Sequence, residues 1–186
     1  MNAIVQGSIG AIAQQSGKSI AETFISADVI IVVDTSGSMG TRDSRGGRSR
    51  YEVANAELKD LQASMPGKIA VINFSDGVQF EPSGIPISMG GGTALSKALQ
   101  FVKVADVEGM KFILISDGQP DDEQRALNVA STFTNHIDVI YVGPEDRPTG
   151  RDFLMRLAKA TGGQAVTVDR AKELKAGIMG LLESGK

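Results

Sequence analysis

Cysteine is absent from this chain of 186 residues. Without thiols the chain can form no disulfide, no zinc–thiolate centre and no thiol-based active site. Histidine occurs once, at His136, which we expect to begin a strand at the surface, since no acid–base partner accompanies it in the sequence. A chain without cysteine is typical of the reducing cytoplasm, and we expect a cytoplasmic location.

Strong charge of either sign and long apolar runs are also absent. The net charge is −3 and the isoelectric point is about 5.2, which argues against nucleic acid as a partner. No apolar run approaches the roughly 20 residues that cross a bilayer. The stretch from Met1 to Gly17 has no Lys or Arg, unlike the basic start of a secretory signal. We therefore expect neither a nucleic-acid partner nor a membrane partner.

Apolar runs that alternate with amphipathic stretches indicate the fold class. Val29 to Val33 is an unbroken β-branched run, typical of a strand buried on both faces. Further strands are predicted at 68–74, 78–81, 111–116, 137–142 and 164–168, and helices at 50–65, from 93, 121–133, 153–161 and 171–183. A turn at Asp76-Gly77 pairs the short 78–81 strand antiparallel with its neighbour. The sequence predicts an α/β fold of one domain: a doubly wound, mostly parallel six-stranded sheet with one short antiparallel edge strand and helices on both faces.

Residues 1–27 are predicted to form a helical extension, packed on the domain or facing a partner, ahead of a domain at 28–186. Ser19 and Glu22 form a capping box at the start of a short helix. The segment from Ile4 to Ile12 suits a second helix or an edge strand. The phrase at 17–19, Gly-Lys-Ser, resembles the end of a phosphate-binding loop, but that motif needs a glycine where this chain has Ile12. A packing helix is the better interpretation.

Oxygen-bearing side chains follow the predicted strands. Asp34, Ser36 and Ser38 come at alternate positions after the first strand, Thr93 follows three glycines, and Asp117 ends a later strand. Because the carboxyl ends of parallel neighbours meet at one edge, these five side chains are candidate ligands of a single cation. Two carboxylates and three hydroxyls suit Mg²⁺ or Mn²⁺, with Ca²⁺ as a further candidate. The alternative for each segment is an ordinary cap or turn.

Three motifs in this order carry a resemblance: DTSGSMG at 34–40, GGGTAL at 90–95 and LISDGQP at 114–120. They resemble the von Willebrand factor A family, whose metal-ion-dependent adhesion site has the pattern D-x-S-x-S, T, D. The resemblance covers about Asp28 to Glu183, and all five site positions match. It implies the doubly wound fold predicted above and coordination by the three hydroxyls directly, with the two aspartates bound directly or through water.

The same resemblance implies a function. A Glu or Asp of a protein partner would complete the coordination of the metal, and the chain itself would be no enzyme. A bacterial-type intracellular member is indicated, with an AAA+ ATPase or a stress-response or assembly complex as its partner.

The loop at 41–50 departs from the commonest family pattern because it contains four arginines. They suit either a solvated loop or a basic surface that attracts an acidic partner. Met39 suits either packing or a partner contact. The candidate partner-binding residues are Met39, Arg42, Arg45, Arg48, Gly91 and Gly92.

Two other functions remain open from the sequence. A metal-dependent phosphohydrolase would use Asp34 as its nucleophile, but it would need a second aspartate as acid–base where the chain has Ser36. A structural subunit with a vestigial site is the other alternative.

Overall fold

The computed structural model describes residues 4–146 and 148–184. Its strands are β1 (Val29–Asp34), β2 (Ile69–Phe74), β3 (Val78–Phe80), β4 (Lys111–Ser116), β5 (Ile137–Tyr141) and β6 (Ala165–Thr167). They form one sheet in the order β3-β2-β1-β4-β5-β6. All neighbouring pairs are parallel except β2 and β3, which pair antiparallel through the turn that follows Phe74. The predicted fold class is confirmed.

β1 lies near the middle of the sheet, between β2 and β4. Its register aligns Val33 with Asn73 on one side and Ile115 on the other. All six residues of β1 are buried, as the unbroken apolar run predicts for a strand covered on both faces. The strand ends at Asp34, so this carboxylate is placed at the carboxyl edge of the sheet.

Helices cover both faces of the sheet. They are α1 (Ile9–Ser16), α2 (Ile20–Ile25), α3 (Arg50–Ser64), α4 (Leu95–Val102), α5 (Glu123–Ala130), α6 (Pro148–Thr161) and α7 (Leu174–Ser184). On one face, Leu58 of α3 and Ile178 of α7 belong to the same buried cluster as Ile31 of β1. On the other face, residues of α4, α5 and α6 form a cluster with Ile30 and Val32. Alternate residues of β1 therefore anchor two separate cores.

The two N-terminal helices pack beside the antiparallel edge of the sheet. The predicted capping box is present, since the Ser19 hydroxyl accepts a hydrogen bond from the Glu22 amide and the Glu22 carboxylate accepts one from the Ser19 amide at 2.8 Å. Phe24 of α2 meets Phe80 of β3 edge to face, with 5.2 Å between ring centroids. Ile9 of α1 is buried in the core shared with α4, α5 and α6.

Three helices start later than the sequence predicts, and one of them is α7, which begins at Leu174 rather than Ala171. α4 begins at Leu95 rather than Thr93, and α5 begins at Glu123 rather than Asp121. The reason is that Thr93 and Asp121 bond to each other: the Thr93 amide donates to the Asp121 carboxylate at 3.0 Å, and the Asp121 amide donates to the Thr93 carbonyl at 3.1 Å. Across residues 4–146 and 148–184, every helix is too short or too polar to cross a bilayer.

Candidate metal site at the carboxyl edge of the sheet

Asp34 and Asp117 are brought together because β1 and β4 are parallel neighbours. Asp34 is the last residue of β1 and is completely buried, and Asp117 directly follows β4 and is 6% exposed. Ser116, the last residue of β4, donates a hydrogen bond of 2.6 Å to the Oδ2 atom of Asp34. The strand pairing alone therefore places the two carboxylates of the predicted site side by side at one edge.

The carboxylate of Asp34 is held in an environment that disfavours its charge. Its Oδ1 atom accepts the Ser36 amide at 2.8 Å, while Oδ2 accepts Ser116. Burial and the nearby charge of Asp117 raise the pKa of Asp34 to about 6, although the hydrogen bonds from Ser116 and Ser36 oppose this rise. Two buried carboxylates that repel each other form a site that a cation would stabilise.

The serine hydroxyls connect these carboxylates. Ser36 Oγ lies 3.2 Å from Ser38 Oγ, and Ser38 Oγ donates to Asp117 Oδ1 at 2.7 Å. A short 3₁₀ turn at Gly37–Gly40 brings Ser38 back over the strand ends. Four of the five predicted ligand residues, Asp34, Ser36, Ser38 and Asp117, are thus linked by a continuous chain of hydrogen bonds.

Thr93 is carried to the same edge by the glycine-rich loop. The Gly37 amide donates to the Gly91 carbonyl at 3.2 Å, and the Gly90 amide donates to the Thr35 carbonyl at 3.1 Å. These bonds fasten the glycine loop to the loop after β1. Thr93 itself is 9% exposed, and its backbone is fixed by Asp121. The structure therefore brings all three site segments to one edge of the sheet.

Arg50 is the site residue that the sequence did not single out. It begins α3, is 5% exposed, and donates from Nη1 to Asp117 Oδ2 at 2.7 Å. Its Nε atom donates to Asp43 Oδ1 at 2.9 Å, and Asp43 also accepts from Nη2. Burial opposes the charge of the guanidinium, but the hydrogen bonds and charges of the two aspartates outweigh burial and raise the pKa of Arg50. Both oxygens of Asp117 are therefore engaged, one by Ser38 and one by Arg50.

The other loop arginines are not part of this network. Arg42 is largely exposed and lies 3.7 Å from Glu52, Arg45 pairs with Glu57, and Arg48 donates to the Glu52 carbonyl at 2.7 Å. These contacts of the three arginines are all with residues of α3.

Met39 is buried at 1% exposure in the core cluster beneath α3 and α7. This burial supports packing and leaves almost none of the Met39 side chain for a partner to contact. Gly91 and Gly92 lie against Asp76: a Cβ atom on Gly91 would overlap that carboxylate, and the Gly92 amide donates to it at 3.0 Å. The absence of side chains at both positions allows this close approach, and the φ of 79° at Gly91 also favours glycine.

A polar cavity of about 390 Å³ opens beside Asp117. Arg50, Arg170 and Tyr141 lie in its lining, together with Asp43 and Ser38. Arg170 lies 3.4 Å from Asp43, so this aspartate links both arginines of the cavity. The cavity therefore places side chains of both charges next to Asp117.

The donor set fits a hard divalent cation. Among the described residues no group of three or more His, Asp and Glu side chains is placed to hold a metal, so a site here must rely on hydroxyls as well as on Asp34 and Asp117. Hydroxyl and carboxylate oxygens are the ligands that Mg²⁺ accepts. The residues that would hold it are Asp34, Ser36, Ser38, Thr93 and Asp117.

Comparison with known proteins shows the fold. No family model matches the chain, and no curated protein sequence matches it. Among the similar solved structures is an aerotolerance-related membrane protein from Bacteroides fragilis with multiple mutations to serine; it is 19% identical, the match covers 84% of this chain and 98% of that one, and the TM-score is 0.63. The conserved hypothetical protein BatB from Bacteroides thetaiotaomicron is 20% identical over 84% of this chain and 97% of its own, with a TM-score of 0.62. A von Willebrand factor type A structure from Catenulispora acidiphila is 19% identical over 82% of this chain and 41% of its own, with a TM-score of 0.58. The fold is von Willebrand factor A-like.

Proposed function

We propose that this chain is a non-enzymatic protein-binding module whose divalent cation is held by Asp34, Ser36, Ser38, Thr93 and Asp117. When bound, the cation would supply one coordination position that a Glu or Asp of a protein partner fills. The observation that carries the proposal is the hydrogen-bonded chain from Asp34 through the two serines to Asp117, which gathers hard oxygen donors from two neighbouring strands. The von Willebrand factor A-like fold is consistent with an interaction module.

Mg²⁺ is the proposed ion, with Mn²⁺ and Ca²⁺ as alternatives. The proposed partner presents an acidic residue and belongs to an AAA+ ATPase or a stress-response or assembly complex. A cytoplasmic location stays a prediction.

A first experiment measures metal binding by thermal unfolding in Mg²⁺ and in EDTA. A ligand that binds only the folded state stabilises it by about 2.7 kcal/mol at a hundredfold excess over Kd, which at this length raises Tm by roughly 5–10 °C. Asp117→Ala should abolish the Mg²⁺ shift because it removes a charged ligand. Asp60→Ala, a loss of the same group from the exposed face of α3, should leave the shift unchanged.

A second experiment tests the partner carboxylate. Proteins from native host lysate are captured on the immobilised chain in Mg²⁺ and again in EDTA, and bound proteins are identified by mass spectrometry. A true partner should be recovered only in Mg²⁺ and should be lost with Asp34→Ala but kept with Asp60→Ala. Equal recovery in EDTA would refute a metal-bridged interaction.

The ion pair of Arg50 with Asp117 favours one other function, a structural subunit whose site is closed by its own guanidinium. At 2.7 Å this cation already compensates the Asp117 charge. A closed site predicts no thermal shift with Mg²⁺ in the native chain, whereas the metal-binding module predicts the shift given above. The same melting curves therefore decide between the two.

A further inference from the structure

A second cavity, of about 720 Å³, lies between the N-terminal helices and the antiparallel edge of the sheet. Its apolar lining includes Ile4, Ala13, Ile20, Pro82 and Ile87. It is separate from the candidate metal site, because no residue of the proposed ligand set lines it. An inference about this cavity is therefore independent of the proposed function.

Glu81 brings a carboxylate into the lining of this cavity. It directly follows β3, and its amide extends the sheet by donating to the Val71 carbonyl at 2.8 Å. Two-residue alternation places Glu81 on the same side of the strand as Gln79, which also lines the cavity, while Phe80 between them packs against Phe24. The backbone hydrogen bond to Val71 therefore fixes the position of Glu81 at the cavity.

One carboxylate oxygen of Glu81 is buried without a hydrogen-bond partner in the described part of the chain. The residue is 4% exposed, and within residues 4–146 and 148–184 its Oε1 atom is fully buried and has no hydrogen-bond partner. Glu81 also forms no ion pair with any of the residues that the structure describes. Burial raises the pKa of Glu81. A buried carboxyl group without a partner costs free energy that a bound donor would recover.

The rest of the lining indicates which donor would fit. Lys18 is the single basic side chain among the described lining residues, and it is exposed. Its charge is therefore solvated rather than paired with Glu81. A cavity with apolar walls and one buried acid matches a ligand that has an aliphatic stem and a positively charged end.

We propose that this cavity binds an alkylammonium or alkylguanidinium group, with Glu81 as its counter-ion and hydrogen-bond acceptor. The apolar walls from α1, α2 and the 82–87 segment contact the aliphatic stem. Two sources share this chemistry: a free aliphatic amine, and a Lys or Arg side chain of a peptide.

The test uses the whole chain in EDTA, so that the candidate metal site takes no part. Calorimetric titration or NMR shift mapping measures binding of n-pentylamine, of the peptide acetyl-Gly-Lys-Gly-amide and of neutral pentan-1-ol. Glu81→Gln should weaken binding of the charged probes roughly tenfold to a hundredfold, because glutamine offers only a neutral acceptor and the attraction between the two charges is lost. Glu108→Gln, the same change at an exposed acid, should have no effect.

The two charged probes identify the source. Binding of pentylamine alone supports a free amine, and binding of the peptide supports a side chain. Glu81→Gln keeps the shape of the side chain and should remain folded, which circular dichroism checks. Equal affinity of native and Glu81→Gln protein, equal affinity for pentanol and pentylamine, or no binding of either charged probe at the highest soluble concentration overturns the proposal.

Discussion

Replacing Arg50 with methionine is expected to destabilise the metal-free protein strongly. The guanidinium lies 2.7 Å from Asp117, and the two side chains are 7% and 0% exposed. Methionine has similar length but carries no charge, so Arg50→Met would leave the Asp117 carboxylate buried, unpaired and close to Asp34. Removing one partner of a buried ion pair costs about 3–5 kcal/mol. For a chain of this length the Tm should fall by roughly 6–20 °C.

Urea unfolding in EDTA, followed by far-ultraviolet circular dichroism, measures this loss, since the chain contains no tryptophan. The control is Arg42→Met. Arg42 lies 3.7 Å from Glu52 and its side chain is 72% exposed, so its loss should cost less than about 1 kcal/mol.

A double-mutant cycle separates the ion pair from lost packing. Arg50→Met combined with Asp117→Asn removes both charges of this ion pair, so the double variant should be more stable than the sum of the single losses predicts. A coupling free energy under about 0.5 kcal/mol is within the range of independent sites. That result would refute the inference that Arg50 acts by compensating Asp117.

Three further predictions concern pH and backbone. The pKa of Asp34 is raised from 3.8 to about 6. In EDTA the contribution of Asp34 to stability is therefore largest below pH 4 and falls by about 3 kcal/mol as the pH rises through 6. In Asp34→Asn the urea midpoint should depend less on pH across this range. Burial opposes ionisation of Asp106, but hydrogen bonds from Lys103 and two backbone amides outweigh burial and lower the pKa of Asp106. The contribution of Asp106 to stability is therefore present at neutral pH and is lost on acidification. Asp106→Asn should reduce the loss of the urea midpoint in acid. Gly163→Ala should destabilise more than Gly162→Ala in thermal melts, because a Cβ on Gly163 would overlap the first carbonyl of β5, whereas Gly162 faces open space and only its φ of 77° opposes alanine.

The strands were predictable because each is a local signal. No polar residue interrupts the apolar runs at 29–33 and 112–115, so the burial of these residues was predictable from the sequence alone. The placement of the candidate site residues at one edge was predictable from the strands, since residues directly after parallel neighbours share an edge. Helix starts were less predictable: Thr93 and Asp121 have the composition of a helix N-terminus but bond to each other across 28 positions, and no local pattern records such a pairing.

Arg50 shows the limit of sequence reasoning most clearly. It follows three other loop arginines and begins the predicted helix at 50–65, but no sequence pattern predicts that the Arg50 side chain is buried while that of Arg42 is exposed. The difference arises because α3 packs its first residue against the loop after β4. A tertiary contact of this kind, 67 positions apart in the chain, has no local signal. Met39 is similar, since only the path of the 3₁₀ turn determines that its side chain enters the core.

The charge balance around Arg50 connects the unexpected residue to the proposed function. Asp34 and Asp117 together contribute two negative charges, but the guanidinium already pairs with one of them while Asp43 shares its remaining donors. A divalent cation held here would therefore face about one uncompensated carboxylate and neutral hydroxyls, and it would keep positive charge. A cation with retained charge binds an external carboxylate more strongly than one fully neutralised by its own protein. If the proposed function is correct, Arg50 would weaken the binding of the metal alone and would favour the capture of an acidic side chain through the metal.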